Sequence, residues 1–333
     1  MPNLFRHLCS LRGVLMKKLF SLFVLLLILL AASCKSVKTE ETPGEGTKAP
    51  LTTTIKKFPD TMLWEIDGYD KNGDPSTIYL LGTYHAGDER ITPFPECVQT
   101  AIDSADRFVC ELSQTDWNNM QNLMNDLTMQ SFLTDLSHTF VDDLTQDEII
   151  LISRYIDQQT LAQLICFEPW VLNNYLQQVL IMASGLDTTM AYDVMIMQQI
   201  AQKNMTFEGL DTAQTQLDLI SYGDWDTQLS MLRDTLKDLE NLSASAQEMY
   251  DLYEIFLSGD ELAFEKAYYK DLESDILEYS VYEDYIKALL NDRNEAWAGK
   301  IENYLAEGGT TFIFAGNAHF TGPDSVFAYL NLN

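Results

Sequence analysis

The sequence predicts an α/β fold: a central β-sheet built from strands at the two ends of the chain, with a large helical insertion packed over it. Three observations carry this. Short β-branched and aromatic runs of strand type cluster within residues 62–112 and recur at 310–314, whereas apolar residues in between return every three or four positions. The run 77–81 (TIYLL) is broken by Gly82, and His85 follows three residues later. The run 310–314 (TTFIF) is followed in the same way by Gly316 and, three residues on, His319. Two strands that each deliver a glycine turn and then an imidazole would aim both rings at one point, because the ligand crevice of an open α/β sheet lies beyond the carboxyl ends of its strands.

In chain order, residues 1–33 read as a lipoprotein signal peptide, with Met16 as the natural start. Arg6, Arg12, Lys17 and Lys18 precede an apolar stretch, 19–32, interrupted only by Ser21. That stretch is shorter than the ~20 residues a membrane-spanning helix needs. Ala31, Ala32 and Ser33 lead to Cys34 in the manner of a bacterial lipobox, whose cysteine becomes the lipidated first residue of the mature protein. The other reading is an uncleaved signal anchor. Residues 34–57 lack an apolar pattern and are rich in Thr, Glu, Gly and Pro toward their start, as in a flexible tether. Residues 58–333 then form one large domain.

Within the domain, 62–66 and 77–81 flank an Asn-Gly turn and a proline, the pattern of a β-hairpin. Residues 95–105 have helical spacing, with Val98, Ala101, Ile102 and Ala105 on one face. The run 107–112 is the next strand, and Glu111 lies at its carboxyl end. Helices are expected from 117 to 201, a short strand at 205–210, and further helices from 211 to about 305. The final strand and a closing helix at 324–330 complete the chain.

The formal charge is −29, and removing the four leader cations takes it to −33. So acidic a surface repels phosphate backbones and excludes a nucleic-acid partner. Beyond Cys34 the cysteines are Cys97, Cys110 and Cys166, with no CxxC spacing, so neither a zinc knuckle nor a disulfide framework is indicated. Cys110 reads as a small buried hydrophobe, and one Cys97–Cys166 bridge stays open. There is no HExxH, GxSxG, P-loop or GxGxxG.

The chemistry therefore rests on few residues. Two imidazoles and a carboxylate make a common first shell for a divalent ion, here His85, His319 and Glu111. Such an ion would lower the pKa of bound water to ~7 and supply a nucleophile. Glu111 is otherwise a general base, or simply a strand-end carboxylate in water. Asp211 opens a helix and is either its N-cap or a second crevice acid. Arg293 is either a salt-bridge hub or a clamp on a substrate oxygen. His138 reads as a surface residue, and the methionines of 190–197 as core.

Six ordered pieces resemble the TraB/GumN family, which includes the TIKI-type metalloproteases: LWEI (63–66), LLGTYH (80–85), FVCEL (108–112), GLDTAQTQL (209–217), DRNEAW (292–297) and FAGNAHFTG (314–322). The resemblance implies a fold related to the erythromycin-esterase and ChaN-like proteins, and a metal site at His85, Glu111 and His319. It also places Arg293 and Gln216 at the family's Arg and Gln positions. Asp211 stands where the family usually has Glu, one methylene longer.

Together these readings predict a lipid-anchored hydrolase of the bacterial cell envelope that depends on a divalent metal (Mn, Co or Zn) and acts on a peptide or other small substrate. Two alternatives stay open: a non-catalytic protein that binds a peptide or glycan in the same crevice, and a metal-independent, esterase-like hydrolase with histidine as base.

Overall fold

The computed structural model describes residues 53–278 and 281–332. The signal peptide, Met16, the lipobox cysteine Cys34 and the tether up to residue 52 lie outside the described residues. Among the described residues no helix is long and apolar enough to cross a membrane.

Six strands form one sheet in the order β1 (Thr54–Lys57), β2 (Leu63–Tyr69), β3 (Pro75–Thr83), β6 (Gly309–Gly316), β4 (Arg107–Cys110), β5 (Phe207–Gly209). β1, β2 and β3 are antiparallel neighbours. β3, β6, β4 and β5 run parallel. The expected hairpin joins β2 to β3: Asp70 Oδ1 accepts from the backbone N–H of Asn72 (2.8 Å) and Asp74 (2.7 Å), and Gly73 takes φ 81°. β1 contains residues 54–57, which the composition leaves in the tether; they pair with β2 from Thr54↔Asp67 to Lys57↔Trp64.

β6 is buried at every position from Thr311 to Gly316, as a strand covered on both faces must be. Its neighbours are set by register: Thr83 lies opposite Gly316, and Val109 opposite Ile313. The carboxyl ends of β3, β6 and β4 thus finish at one edge of the sheet, and Gly209 of β5 pairs with Cys110 beside them. The strand–glycine–histidine units are adjacent in space although more than two hundred residues separate them.

Helices α1 (Glu96–Ser104) and α13 (Asp292–Glu307) pack on this sheet. Trp297, Ala298 and Ile301 of α13 and Val98 and Ile102 of α1 belong to the main core. Between β4 and β5 lies the insertion: α2 (Gln114–Gln130), α3 (Phe140–Asp143), α4 (Gln146–Tyr155), α5 (Gln158–Leu164), α6 (Pro169–Ser184) and α7 (Tyr192–Gln202). After β5 come α8 (Ala213–Ile220), α9 (Trp225–Glu240), α10 (Leu242–Ser258), α11 (Glu261–Glu278) and α12 (Val281–Ile286), with α14 (Val326–Tyr329) closing the chain. A second core joins α3–α6 to α9 through Phe140, Ile152, Leu172, Leu176, Leu232 and Leu236. Met249 of α10 packs against both cores.

Two readings that the sequence leaves open resolve, and a third is borne out. No disulfide joins Cys97 to Cys166. Asp211 is not the N-cap of α8: Thr212 is, accepting from Thr215 N, which frees the Asp211 carboxylate for tertiary bonds. His138 is 59% exposed, as expected of a surface residue, and Asp143 lies 2.9 Å from its Nε2.

Candidate functional site

Each parallel strand contributes one group just past its last residue. β3 leads to His85, β4 to Glu111, β5 to Asp211, and β6 through a 3-10 turn (Asn317–His319) to His319. α13 supplies Arg293 and Trp297, and α8 supplies Gln216. A π-helical turn, Lys287–Asn291, runs directly into α13, and Arg293 Nη1 donates back to its Leu289 carbonyl at 2.9 Å.

Glu111 sits at the centre. Its Oε1 accepts from Gly316 N at 2.9 Å, and its Oε2 from Arg293 Nη2 at 2.6 Å and Gln216 Nε2 at 3.1 Å. Burial alone would raise its pKa, but Arg293, then the two imidazoles and the Gly316 N–H, outweigh that and hold the carboxyl well below the usual carboxylate range. Arg293 also bonds Asp211 Oδ2 from Nε at 2.8 Å, so one guanidinium spans both carboxylates. Asp211 takes two further bonds, from Gln216 Nε2 at 3.0 Å and Trp297 Nε1 at 2.7 Å. The Trp297 ring lies under Arg293, 4.7 Å from Cζ, and beside His319 with 4.2 Å between ring centroids. All five residues the motifs single out, with Gln216, therefore share one connected cluster.

The two histidines differ in setting. His319 is 4% exposed. Burial, followed by the Arg293 charge, pushes it down to about 3, so the ring is neutral. Its Nδ1 lies 2.6 Å from Asn294 Oδ1, whose amide orientation is set because Nδ2 donates to the Asp324 carbonyl at 2.8 Å. Nδ1 is therefore the donor and Nε2 carries the lone pair. His85 leaves 64% of its side chain open to solvent. Crowding by neighbouring atoms would lower its pKa, but the charge and hydrogen bond of Asp193 and the charge of Glu111 outweigh it and raise the ring to about 9. Asp193 Oδ2 lies 3.3 Å from His85 Nδ1, and Glu111 Oε1 lies 3.8 Å from Nε2.

Asp193, Asn294 and the Trp297 indole N–H are the site groups that sequence reasoning missed. Asp193 looks like an ordinary first-turn acid of α7, and only the neighbourhood of Arg293 in DRNEAW points to Asn294 and Trp297.

As a holder of metal, the donor set has suitable chemistry. Both imidazoles have Nδ1 engaged by an outer partner, the arrangement that orients metal-binding histidines. The 3.8 Å between His85 Nε2 and Glu111 Oε1 is compatible with two ligands each ~2.0–2.2 Å from one ion. Among the described residues no three His, Cys, Asp or Glu side chains are gathered closely enough to hold an ion as they stand.

No solved structure matches the chain. It is 27% identical over 274 residues to an uncharacterized protein of Treponema pallidum (strain Nichols), covering 80% of this chain and 79% of that one. Residues 62–332, from the entry of β2 to beyond α14, match the TraB/PrgY/gumN family throughout, and the chain belongs to that family.

Proposed function

We propose that this protein is a metal-dependent hydrolase of the bacterial cell envelope, anchored by lipid at Cys34 and acting on peptide bonds. The observation that carries the reading is the meeting of His85, Glu111 and His319 at one strand edge, each imidazole with Nδ1 occupied and Nε2 free. A divalent ion (Mn, Co or Zn) held by these three would supply a hydroxide-like nucleophile and polarise the scissile carbonyl. The chain's own residues do the rest. Asn294 keeps His319 in one tautomer, and burial keeps it uncharged. Arg293 and Gln216 fix the Glu111 carboxylate and keep it ionised. Asp193 keeps Nδ1 of His85 engaged, which leaves Nε2 on the Glu111 side for the ion.

A second reading is favoured by one observation: both Glu111 oxygens already accept hydrogen bonds. In that reading the hydrolase needs no metal, and His85 takes the proton from the attacking water. Digestion of an unbiased peptide library, with and without chelator and added Mn²⁺, Co²⁺ or Zn²⁺, separates the two. Metal content is measured in parallel for wild type and His85→Ala/His319→Ala. The metal-dependent reading expects cleavage that chelator abolishes and an ion that the double variant lacks. Cleavage that survives chelator but not His85→Ala supports the second. Peptide capture without turnover in every condition would leave a binding protein.

A further inference from the structure

Asp193 belongs to none of the motifs that mark the crevice, yet it completes the surroundings of His85. It lies in the first turn of α7 and is 8% exposed. One carboxylate oxygen meets His85 Nδ1 at 3.3 Å, and the other, Oδ1, is buried without a hydrogen-bond partner among the described residues. A buried carboxylate with one idle oxygen is costly, and such a group calls for a reason beyond packing.

Its placement is built into the backbone. The segment that leads into α7 zips against the loop that carries His85. Gly87 N donates to the Asp187 carbonyl at 3.0 Å, Asp187 N to the Gly87 carbonyl at 2.8 Å, and Tyr192 N to the Tyr84 carbonyl at 3.1 Å. Gly87 is what allows the approach: a Cβ there would stand 2.6 Å from the Met190 carbonyl oxygen and run into the Ile91 side chain. These bonds flank His85, between Tyr84 and Gly87, and end at Tyr192, the residue before Asp193. The helical insertion therefore does more than cover the sheet; it delivers one charged group to one ring nitrogen.

We propose that Asp193 is a positioning residue for His85, holding the proton of the neutral ring on Nδ1 so that Nε2 faces the crevice with its lone pair free. An ionised carboxylate only accepts, so the ring atom beside it must donate. On the other side, Nε2 is 3.8 Å from Glu111 Oε1, too far for a hydrogen bond to capture it. The same device recurs at His319, where Asn294 occupies Nδ1. Both rings thus have Nδ1 occupied, which leaves Nε2 as the nitrogen with the lone pair. An exposed, unpartnered imidazole favours the opposite tautomer, with the proton on Nε2, so His85 would lose this presentation without its partner. The inference rests on the reading that His85 acts in the crevice, but its test reads where a proton sits and needs no substrate.

The test uses the full chain labelled with ¹⁵N-histidine, at alkaline pH where the ring is neutral. Two-bond ¹H–¹⁵N correlations then report the tautomer of each ring. The chain has only four histidines, and His85→Gln identifies the signals of interest. Nδ1–H is expected to predominate at His85 in the wild type. In Asp193→Ala, His85 switches to predominantly Nε2–H while His319 and His138 keep their wild-type patterns. In Asp193→Asn, whose amide oxygen can still accept, the Nδ1–H form is retained. Predominant Nε2–H in the wild type would overturn the proposal whether or not the variants fold. So would an Asp193→Ala spectrum in which His85 is unchanged.

Discussion

Arg293 Nη2 lies 2.6 Å from Glu111 Oε2, and both side chains are largely buried, at 6% and 15% exposure. The same guanidinium holds Asp211, so removing it leaves two carboxylates facing each other with little solvent between them. Breaking a buried ion pair from one side costs ~3–5 kcal/mol, far more than an exposed pair is worth. Arg293→Met is expected to lose stability in that range by urea denaturation. Arg293→Met/Glu111→Gln should recover part of it, because one of the stranded charges has gone. Equal stability of the single and double variants would contradict this.

The two imidazoles should shape stability against pH in opposite ways. His319 stays neutral in the fold down to about 3, against an ordinary value of 6.5, so between those values the unfolded chain takes a proton that the folded one refuses. Stability falls as pH drops through that window, and Glu111 adds to the fall because its folded pKa is also depressed. His85, raised to about 9, stabilises fully below 6.5 and loses that contribution as pH rises toward 9, to an extent limited by its exposure. Urea midpoints across pH should show a shallower acid limb in His319→Gln and a shallower alkaline limb in His85→Gln. Curves that merely shift in parallel would speak against these assignments.

Much of this site is legible in sequence because its parts are local. A strand, a glycine and a histidine three residues on can be read without knowing the neighbours, and so can a glutamate that ends a strand. The position of β6 between β3 and β4 is a long-range pairing with no local sign. Asp193 and Asn294 escape for a related reason, since each acts through a partner 108 or 25 residues away. Asp211 and Thr212 are both good N-cap residues in succession, and only the fold shows that Thr212 takes the cap. β1 reads as tether because a short edge strand with two lysines has the composition of a solvated segment.

The two motif glycines should fail differently. At Gly82 an added Cβ would collide with the buried Asn317 side chain and stand 3.1 Å from its Cα. Gly82→Ala is therefore expected to cost ~1–3 kcal/mol of stability, as overpacking does. At Gly316 the Cβ would stand 2.9 Å from His85 Nε2 and 3.4 Å from Glu111 Oε1. The exposed ring can swing aside, so Gly316→Ala should melt close to wild type while losing the peptide cleavage proposed for this site. Thermal melts and the library digestion, run on both variants, test the contrast; a Gly316→Ala protein with intact cleavage would break it.

Trp297 offers the most direct check on the polar cluster, because one atom can be removed with little change in shape. The residue is fully buried, and its indole N–H donates to Asp211 Oδ1 at 2.7 Å. Trp297→Phe keeps an aromatic face under Arg293 and beside His319 but leaves that oxygen without its donor. The expected cost is ~1–3 kcal/mol, the usual penalty for a buried acceptor left unpaired, with a smaller addition for the lost ring volume. The two contributions separate in an Asp211→Ala background, where the acceptor is already absent and only the volume loss remains. Urea denaturation of the two single variants and the double gives the coupling directly. A coupling of about 1 kcal/mol or more is expected. A value near zero would mean that the indole contributes packing alone, and that Asp211 is held by Arg293 and Gln216 without it.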